Sequence, residues 1–235
     1  MAIKTRSKAR LSVNKLGEYL EASARRRERI LRDQKFPKEF ITLYYRDAFE
    51  GIQNYIDSEF DDAVLDAKYE ELGERPTTSV KQVKRISDCI HALESFQNLS
   101  ESYLIGALDG TRVIPAPNAP KEGAISLEGV EISLRPEFYL QRPTGKRLRS
   151  KGLIKLYISR NQPLSKYTGQ AIAALSQDYL SNLSTPEGKP SRDQIMVIDV
   201  FAESVFAAPK STKRLMQDVE ASCREITRLW DQIKE

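Results

Sequence analysis

The stretch at residues 128–159 constrains the fold more than any other part of this chain of 235 residues. Apolar and polar residues alternate over residues 130–134, which predicts a half-buried strand. Residues 138–141 continue as a second strand, and residues 142–145 have the composition of a turn. The mostly apolar run at residues 153–158 predicts a third strand, buried on both faces of a sheet.

Two ionisable residues interrupt this apolar pattern. Glu137 directly follows Pro136, and Lys155 lies inside the apolar run of the third strand. Burying a carboxylate and an ammonium group on adjacent strands costs several kcal/mol unless the two groups pair or serve a function. We therefore predict that Glu137 and Lys155 mark the functional part of the chain.

The spacing of apolar residues and the cap residues predict the remaining elements. The first 75 residues form a predicted N-terminal helical region with helices at residues 12–32, 38–56 and 57–72. The predicted second region, residues 76–235, contains a helix from Ser79 to about residue 108, a Pro/Gly loop at 109–122, the three strands, a helix from Ser165, one or two strands at 194–206 and a final helix at 211–235. This pattern predicts an α+β fold, with the N-terminal helices packed on a small mixed sheet and its flanking helices.

The composition narrows the class of protein. Hydrophobic residues make up 40% of the chain and charged residues 30%, which is typical of a folded, water-soluble protein. No apolar run approaches the roughly 18–20 residues that span a bilayer, so we expect no membrane association. We expect Cys89 and Cys223 to be reduced thiols in a cytoplasmic protein. The single histidine excludes a Cys/His zinc cluster and argues against a Ser-His-Asp triad.

The net charge of +4 conceals a marked asymmetry along the chain. Residues 1–38 carry twelve Lys and Arg against four Asp and Glu, whereas residues 44–75 carry three bases against ten acids. Residues 135–160 carry eight bases against one acid. The sequence therefore predicts two basic faces and one acidic face.

From Ser79 onward the predicted order of elements is helix, strand, strand, strand, helix, strand, helix. This order resembles the restriction-endonuclease-like core of the PD-(D/E)XK superfamily, and is nearest to its RecB-type and CRISPR-associated exonuclease branch. The resemblance covers residues 79–208 and leaves the N-terminal helices outside. The residues that carry it lie on the three strands and the next helix: Gly129, Val130, Ile132 and Arg135, then Pro136, Glu137 and Phe138, then Leu153, Ile154, Lys155, Leu156 and Tyr157, and finally Tyr167 and Gln170.

The resemblance implies metal-dependent hydrolysis of phosphodiester bonds, with Glu137 as a ligand of Mg²⁺ or Mn²⁺ and Lys155 as the catalytic lysine. The motif is incomplete, because Leu153 stands two residues before Lys155, where the family carries a second acid. Acids on neighbouring elements are candidates for the missing ligand, namely Glu131, Asp178 and Glu94. The alternative is a catalytically inactive version, without metal, in which Glu137 and Lys155 form a buried ion pair.

Basic residues around the second and third strands predict contacts with the phosphate backbone. The candidates are Arg135, Arg142, Lys146, Arg147, Arg149 and Lys151. The resemblance favours DNA over RNA and suggests a role in DNA repair or phage defence. A second hypothesis is a structural or interaction subunit without chemistry, whose acidic region at residues 44–75 meets a basic partner protein or a second copy of the chain.

Overall fold

The computed structural model describes residues 5–37, 44–117, 124–144, 149–184 and 186–235. Within these ranges the chain has the mixed α+β fold that the sequence predicts, with a five-stranded and a three-stranded sheet. No helix in the described ranges is long and apolar enough to cross a membrane.

The described chain opens with one strand and two helices: β1 (Arg10–Ser12), α1 (Val13–Glu21) and α2 (Ala24–Lys35). The prediction of a single helix over residues 12–32 is wrong because Ser23 interrupts it. The Ser23 hydroxyl accepts a hydrogen bond from the Arg26 N–H and caps α2, as the Ser12 hydroxyl caps α1. A second N-cap therefore divides the predicted helix into two shorter helices. The first ends at Glu21 and the second begins at Ala24.

Six further helices follow the first two. They are α3 (Arg46–Asp57), α4 (Asp62–Glu74), α5 (Val80–Leu99), α6 (Ile105–Leu108), α7 (Lys166–Ser181) and α8 (Lys213–Trp230). A π-helical turn, Ser100–Leu104, joins α5 to α6 and completes the long helix that the sequence predicts. Ser79 and Ser165 cap α5 and α7 as expected. The start of the predicted helix at residues 38–56 lies outside the described residues.

The five-stranded sheet has the order β2-β5-β6-β7-β8. Its strands are β2 (Arg112–Pro115), β5 (Phe138–Pro143), β6 (Arg149–Tyr157), β7 (Lys189–Asp199) and β8 (Ser204–Phe206). β6 and β7 run parallel and are connected by α7, while the other neighbouring strands are antiparallel. The predicted strand region at residues 194–206 is thus two strands with a turn between them.

The three-stranded sheet has the order β1-β4-β3, with β3 at Ala124–Leu127 and β4 at Val130–Ser133. The prediction that β4 shares a sheet with β5 and β6 is therefore wrong. β2 takes that place beside β5, although its residues fall in the predicted Pro/Gly loop. The alternation in β4 correctly predicts a half-buried strand, but alternation along one strand carries no information about its partners.

Two apolar cores lie on the two faces of the five-stranded sheet. The α7 face packs against α1, α2, α7 and α8, and the α5 face packs against α3, α4, α5 and α6. The helices before residue 76, predicted as one region, thus divide between the two faces. Cys89 and Cys223 are free and buried, one in each core, as the sequence predicts.

A glycine permits an irregularity where β6 meets β7. The register between these strands shifts between Lys151 and Leu153, and the extra residues fall on β7. A Cβ atom on Gly152 would overlap the carbonyl oxygen of Gln194. The bulge therefore depends on the missing side chain at position 152.

Candidate functional site

The strand pairing brings Glu137 and Lys155 together. The Glu137 N–H donates to the carbonyl oxygen of Ile154, the register partner of Phe138, at 2.9 Å. This bond holds the residue before β5 against β6 next to Lys155. The Lys155 Nζ donates to Glu137 Oε1 at 2.6 Å, and only about 10% of each side chain is exposed.

The second carboxylate oxygen of Glu137 is also occupied. Glu137 Oε2 accepts the backbone N–H of Leu156 at 2.6 Å. The Leu156 carbonyl oxygen in turn accepts a hydrogen bond from the Asn14 side-chain amide on α1 at 3.2 Å. β5 begins only at Phe138 and does not reach Leu156. Glu137 and Asn14 therefore provide the hydrogen bonds to the Leu156 backbone that a partner strand would otherwise make.

The electrostatics of the pair follow from its burial. Burial raises the pKa of the Glu137 carboxyl above its ordinary value, because a charged group loses its hydration inside the protein. The Lys155 ammonium group and the Leu156 N–H oppose this shift, since both stabilise the ionised carboxylate. The arrangement is that of a closed, hydrogen-bonded ion pair.

The predicted second acid does not join Glu137. Glu131 lies in the other sheet and pairs with Arg10 at 3.2 Å. Glu94 is exposed on α5, which packs on the α5 face of the sheet, whereas Glu137 lies on the α7 face. Asp178 is exposed on α7, on the side of the helix away from the core. The structure therefore places none of these three acids beside Glu137.

A buried acid that sequence reasoning did not select lies one strand away. Asp199 pairs in register with Tyr157, two residues along β6 from Lys155. Its Oδ2 accepts the Leu164 N–H at 2.7 Å and its Oδ1 accepts the Ala202 N–H at 3.3 Å, so it fixes two backbone turns. Burial raises the pKa of Asp199, and these N–H groups oppose the shift.

The fit of Mg²⁺ or Mn²⁺ can be judged from these donors. Hard cations need several oxygen ligands that converge and are free to bind. Both oxygens of Glu137 are engaged within the protein, and the described residues contain no group of three or more His, Cys, Asp or Glu that could hold a metal ion. Leu153, at the position of the missing motif acid, is buried in the core. The residues described do not fit the metal that the resemblance implies.

Two of the predicted phosphate-binding residues are engaged inside the protein. The Arg142 guanidinium donates to the Thr111 hydroxyl and to the carbonyl oxygens of Ala107 and Asp109, and so fastens the turn before β2. Lys151 is buried, and its Nζ donates to the Leu183 carbonyl oxygen at 2.6 Å. Burial lowers the pKa of Lys151. In this structure both side chains therefore bind groups of the protein itself.

Other predicted basic residues do not lie together. Arg135 and Arg149 are exposed, while Lys146 and Arg147 lie outside the described residues. Arg135 precedes Glu137, whereas Arg149 is opposite Pro143 at the far end of β5. Six residues of extended chain span about 20 Å. Arg149 and the Glu137–Lys155 pair therefore lie at opposite ends of β5.

The hairpin end of the sheet carries basic residues that the sequence did not indicate. Arg112 begins β2 opposite Gln141, and Lys189 begins β7 opposite Ser150. Arg112, Arg149 and Lys189 are all exposed, and none has an ion-pair partner among the described residues. They come from three distant segments, so only the strand order reveals that they share one end of the sheet. We call these three residues the basic end.

The two residues assigned to the helix motif lie on α7. The Tyr167 hydroxyl donates to Asp218 at 2.9 Å and links α7 to α8. Burial, together with the Asp218 carboxylate, raises the pKa of Tyr167 to about 12. Gln170 is half-buried on the same helix.

Comparison of the sequence with protein-family models and with curated proteins finds no match.

Proposed function

We propose that this protein binds nucleic acid, DNA in preference to RNA, without cleaving it, and that its fold is an inactive relative of the restriction-endonuclease-like core. In support, α5, β2, β5, β6, α7 and β7 occur in the order that the resemblance implies, with α6 inserted before β2 and with β3 and β4 inserted between β2 and β5. β2, β5 and β6 form an antiparallel meander, and β7 returns parallel to β6. In this assignment β2, rather than β4, is the first strand of the core.

The closed ion pair supports binding without hydrolysis. Metal-assisted hydrolysis of a phosphodiester needs carboxylate oxygens that are free to hold the ion. In this protein Lys155 and the Leu156 N–H take the two oxygens of Glu137, and α1 contributes Asn14 beside them. Glu137 and Lys155 then stabilise the junction of β5 and β6 rather than perform chemistry.

The observation that carries the proposal is the basic end. Arg112, Arg149 and Lys189 present exposed cationic groups across three strands, and the sequence adds Lys146 and Arg147 in the connection from β5 to β6. Contacts of this kind neutralise phosphates and release counterions, which makes the affinity steeply dependent on salt and independent of base sequence.

The test is fluorescence anisotropy with labelled duplex DNA, single-stranded DNA and RNA over a range of salt concentrations. The variant is Arg149→Gln with Lys189→Gln, which removes two exposed charges and leaves Arg112 in place. We expect weaker binding to all sequences and a salt dependence that is smaller by about two phosphate contacts.

The matched control is Lys213→Gln with Arg214→Gln, two exposed residues at the start of α8. It removes the same charge from another surface, so we expect little change in affinity. An equal loss of affinity in both double variants would mean that the basic end is not the binding surface. Absence of binding by the native protein at low salt would remove the proposal altogether.

A further inference from the structure

A cleft on the α5 side of the molecule shares Arg112 with the basic end and does not include the Glu137–Lys155 pair. It has a volume of about 440 Å³ and lies between the turn joining α3 to α4 and the segment from α6 to β2. Ile56, Phe60, Leu108 and Val113 form its apolar lining. This volume is within the range of pockets that bind small molecules or single side chains of a partner.

Carboxylates surround the apolar part of this cleft. Asp57, Glu59 and Asp109 line it, and none of the three has an ion-pair partner among the described residues. Partial burial raises the pKa of Asp57. Arg112 is the single basic residue in the described lining, so the cleft retains a net negative charge. A cationic group on an aliphatic stem complements both the acidic rim and the apolar lining.

The acidic surface extends well beyond the cleft. Phe60 packs edge-on against Tyr55 with ring centroids 5.3 Å apart, and the Tyr55 hydroxyl donates to Asp62 at 2.9 Å. Burial raises the pKa of Tyr55 most, and the nearby carboxylates of Asp62 and Glu101 raise it further. Both acids therefore lie near this ring. One small cation could not contact all of these carboxylates, which lie both in the cleft and around Tyr55.

Exposed apolar side chains accompany the acidic rim. Ile105 lines the cleft and is 46% exposed, and Tyr103 on the preceding π-helical turn is 50% exposed. Exposed apolar groups beside a polar rim are typical of protein-binding surfaces. The acidic surface and these side chains together favour a polypeptide over a free small molecule.

We propose that this cleft is the docking site for a basic segment of another protein. A Lys or Arg side chain of that segment lies along the apolar lining with its charge between Asp57, Glu59 and Asp109, and a neighbouring apolar residue contacts Ile105. The inference does not depend on nucleic-acid binding, because it uses the acids Asp57, Glu59 and Asp109 and a ligand of opposite charge, although Arg112 borders both surfaces.

The probe is a fluorescein-labelled peptide, Gly-Leu-Arg-Lys-Leu-Arg-Gly, and the matched probe carries citrulline for arginine and acetyl-lysine for lysine. The native protein is titrated into each by anisotropy. We expect saturable binding of the cationic peptide alone. The variant Asp57→Asn with Glu59→Gln should weaken it about tenfold, as the loss of two partly exposed ion pairs would.

The control variant is Asp33→Asn with Asp178→Asn, two exposed acids on the helices of the α7 face. It matches the change in net charge and should bind the peptide as the native protein does, and thermal unfolding checks that both variants fold. The proposal is overturned by three results: no binding at millimolar peptide, equal weakening in both variants, or self-association that the cleft variant abolishes, which would make a second copy the occupant.

Discussion

At the scale of single residues, the Glu137–Lys155 pair shows how much chemistry one sequence pattern predicts. An acid and a base at buried positions of adjacent strands indicate that the two meet, and the structure confirms this at 2.6 Å. The pattern did not reveal that the Leu156 N–H takes the other oxygen, because backbone donors at a strand edge leave no trace in the sequence. The same limit applies to Arg142 and Lys151, which were predicted to bind phosphates from their charge alone. Their hydrogen bonds to backbone carbonyl oxygens could not be predicted from the number of charged residues.

Replacing one partner of the pair should destabilise the protein strongly. Lys155→Met leaves the Glu137 carboxylate buried without its cation, and we expect a loss of about 3–5 kcal/mol in the free energy of unfolding. Adding Glu137→Gln, which keeps a carbonyl oxygen for the Leu156 N–H, should recover much of the loss. Urea unfolding measures the stability of the single and the double variant. The control is Lys166→Met at an exposed position, which should change stability by about 0.5 kcal/mol or less. Equal stability of native protein and Lys155→Met would contradict the structural role.

The pH dependence follows from the raised pKa of Glu137. A carboxyl whose pKa is higher in the folded than in the unfolded state stabilises the fold while protonated, and this contribution is lost as pH rises through the folded pKa. Lys155→Met removes a group that lowers the pKa of Glu137, so the loss of stability with rising pH should continue to higher pH in this variant. We expect the variant to lose stability more steeply than the native protein as the pH rises above the ordinary pKa of a glutamate. Parallel stability curves would show that Glu137 is not titrating in the core.

At the scale of elements, local signals predicted helices better than strand partners. Ser79 and Ser165 cap the helices that were expected there, because capping depends on a few neighbouring residues. β2 was missed because Pro115 and its neighbours resemble a loop, and only pairing with β5 makes them a strand. The place of β4 in the second sheet depends on β1, more than a hundred residues earlier.

The bulge between β6 and β7 should depend on Gly152. Gly152→Ala places a methyl group against the Gln194 carbonyl oxygen, and we expect destabilisation of about 1–3 kcal/mol by overpacking. Gly73→Ala on α4 is the matched control, because a Cβ there meets no other atom within 4 Å. That helical substitution should instead stabilise by about 0.5–1 kcal/mol. Thermal or urea unfolding measures the stability of the two variants. A Gly152→Ala protein as stable as the native protein would contradict the close packing of Gly152 against Gln194.

At the scale of the whole molecule, the fold distinguishes a buried ion pair from two charged surfaces, the basic end and the acidic cleft, which have Arg112 in common. The Glu137–Lys155 pair is closed beneath α1, the basic end lies at the other end of β5, and the acidic cleft opens beside α3 and α6. The sequence predicted the acidic and basic segments, but their separation arises from strand order and hairpin direction. This arrangement underlies our two proposals, nucleic-acid binding without hydrolysis at the basic end and docking of a basic segment at the cleft.

The most direct test combines binding and cleavage in one sample. Labelled duplex DNA is titrated with the native protein at low salt in the presence of Mg²⁺ or Mn²⁺, and the same samples are then run on a denaturing gel. We expect saturable binding and intact strands. Cleaved strands, with cleavage lost in Glu137→Gln, would show that the pair opens to hold metal and would contradict the account, as would intact DNA that the protein never bound.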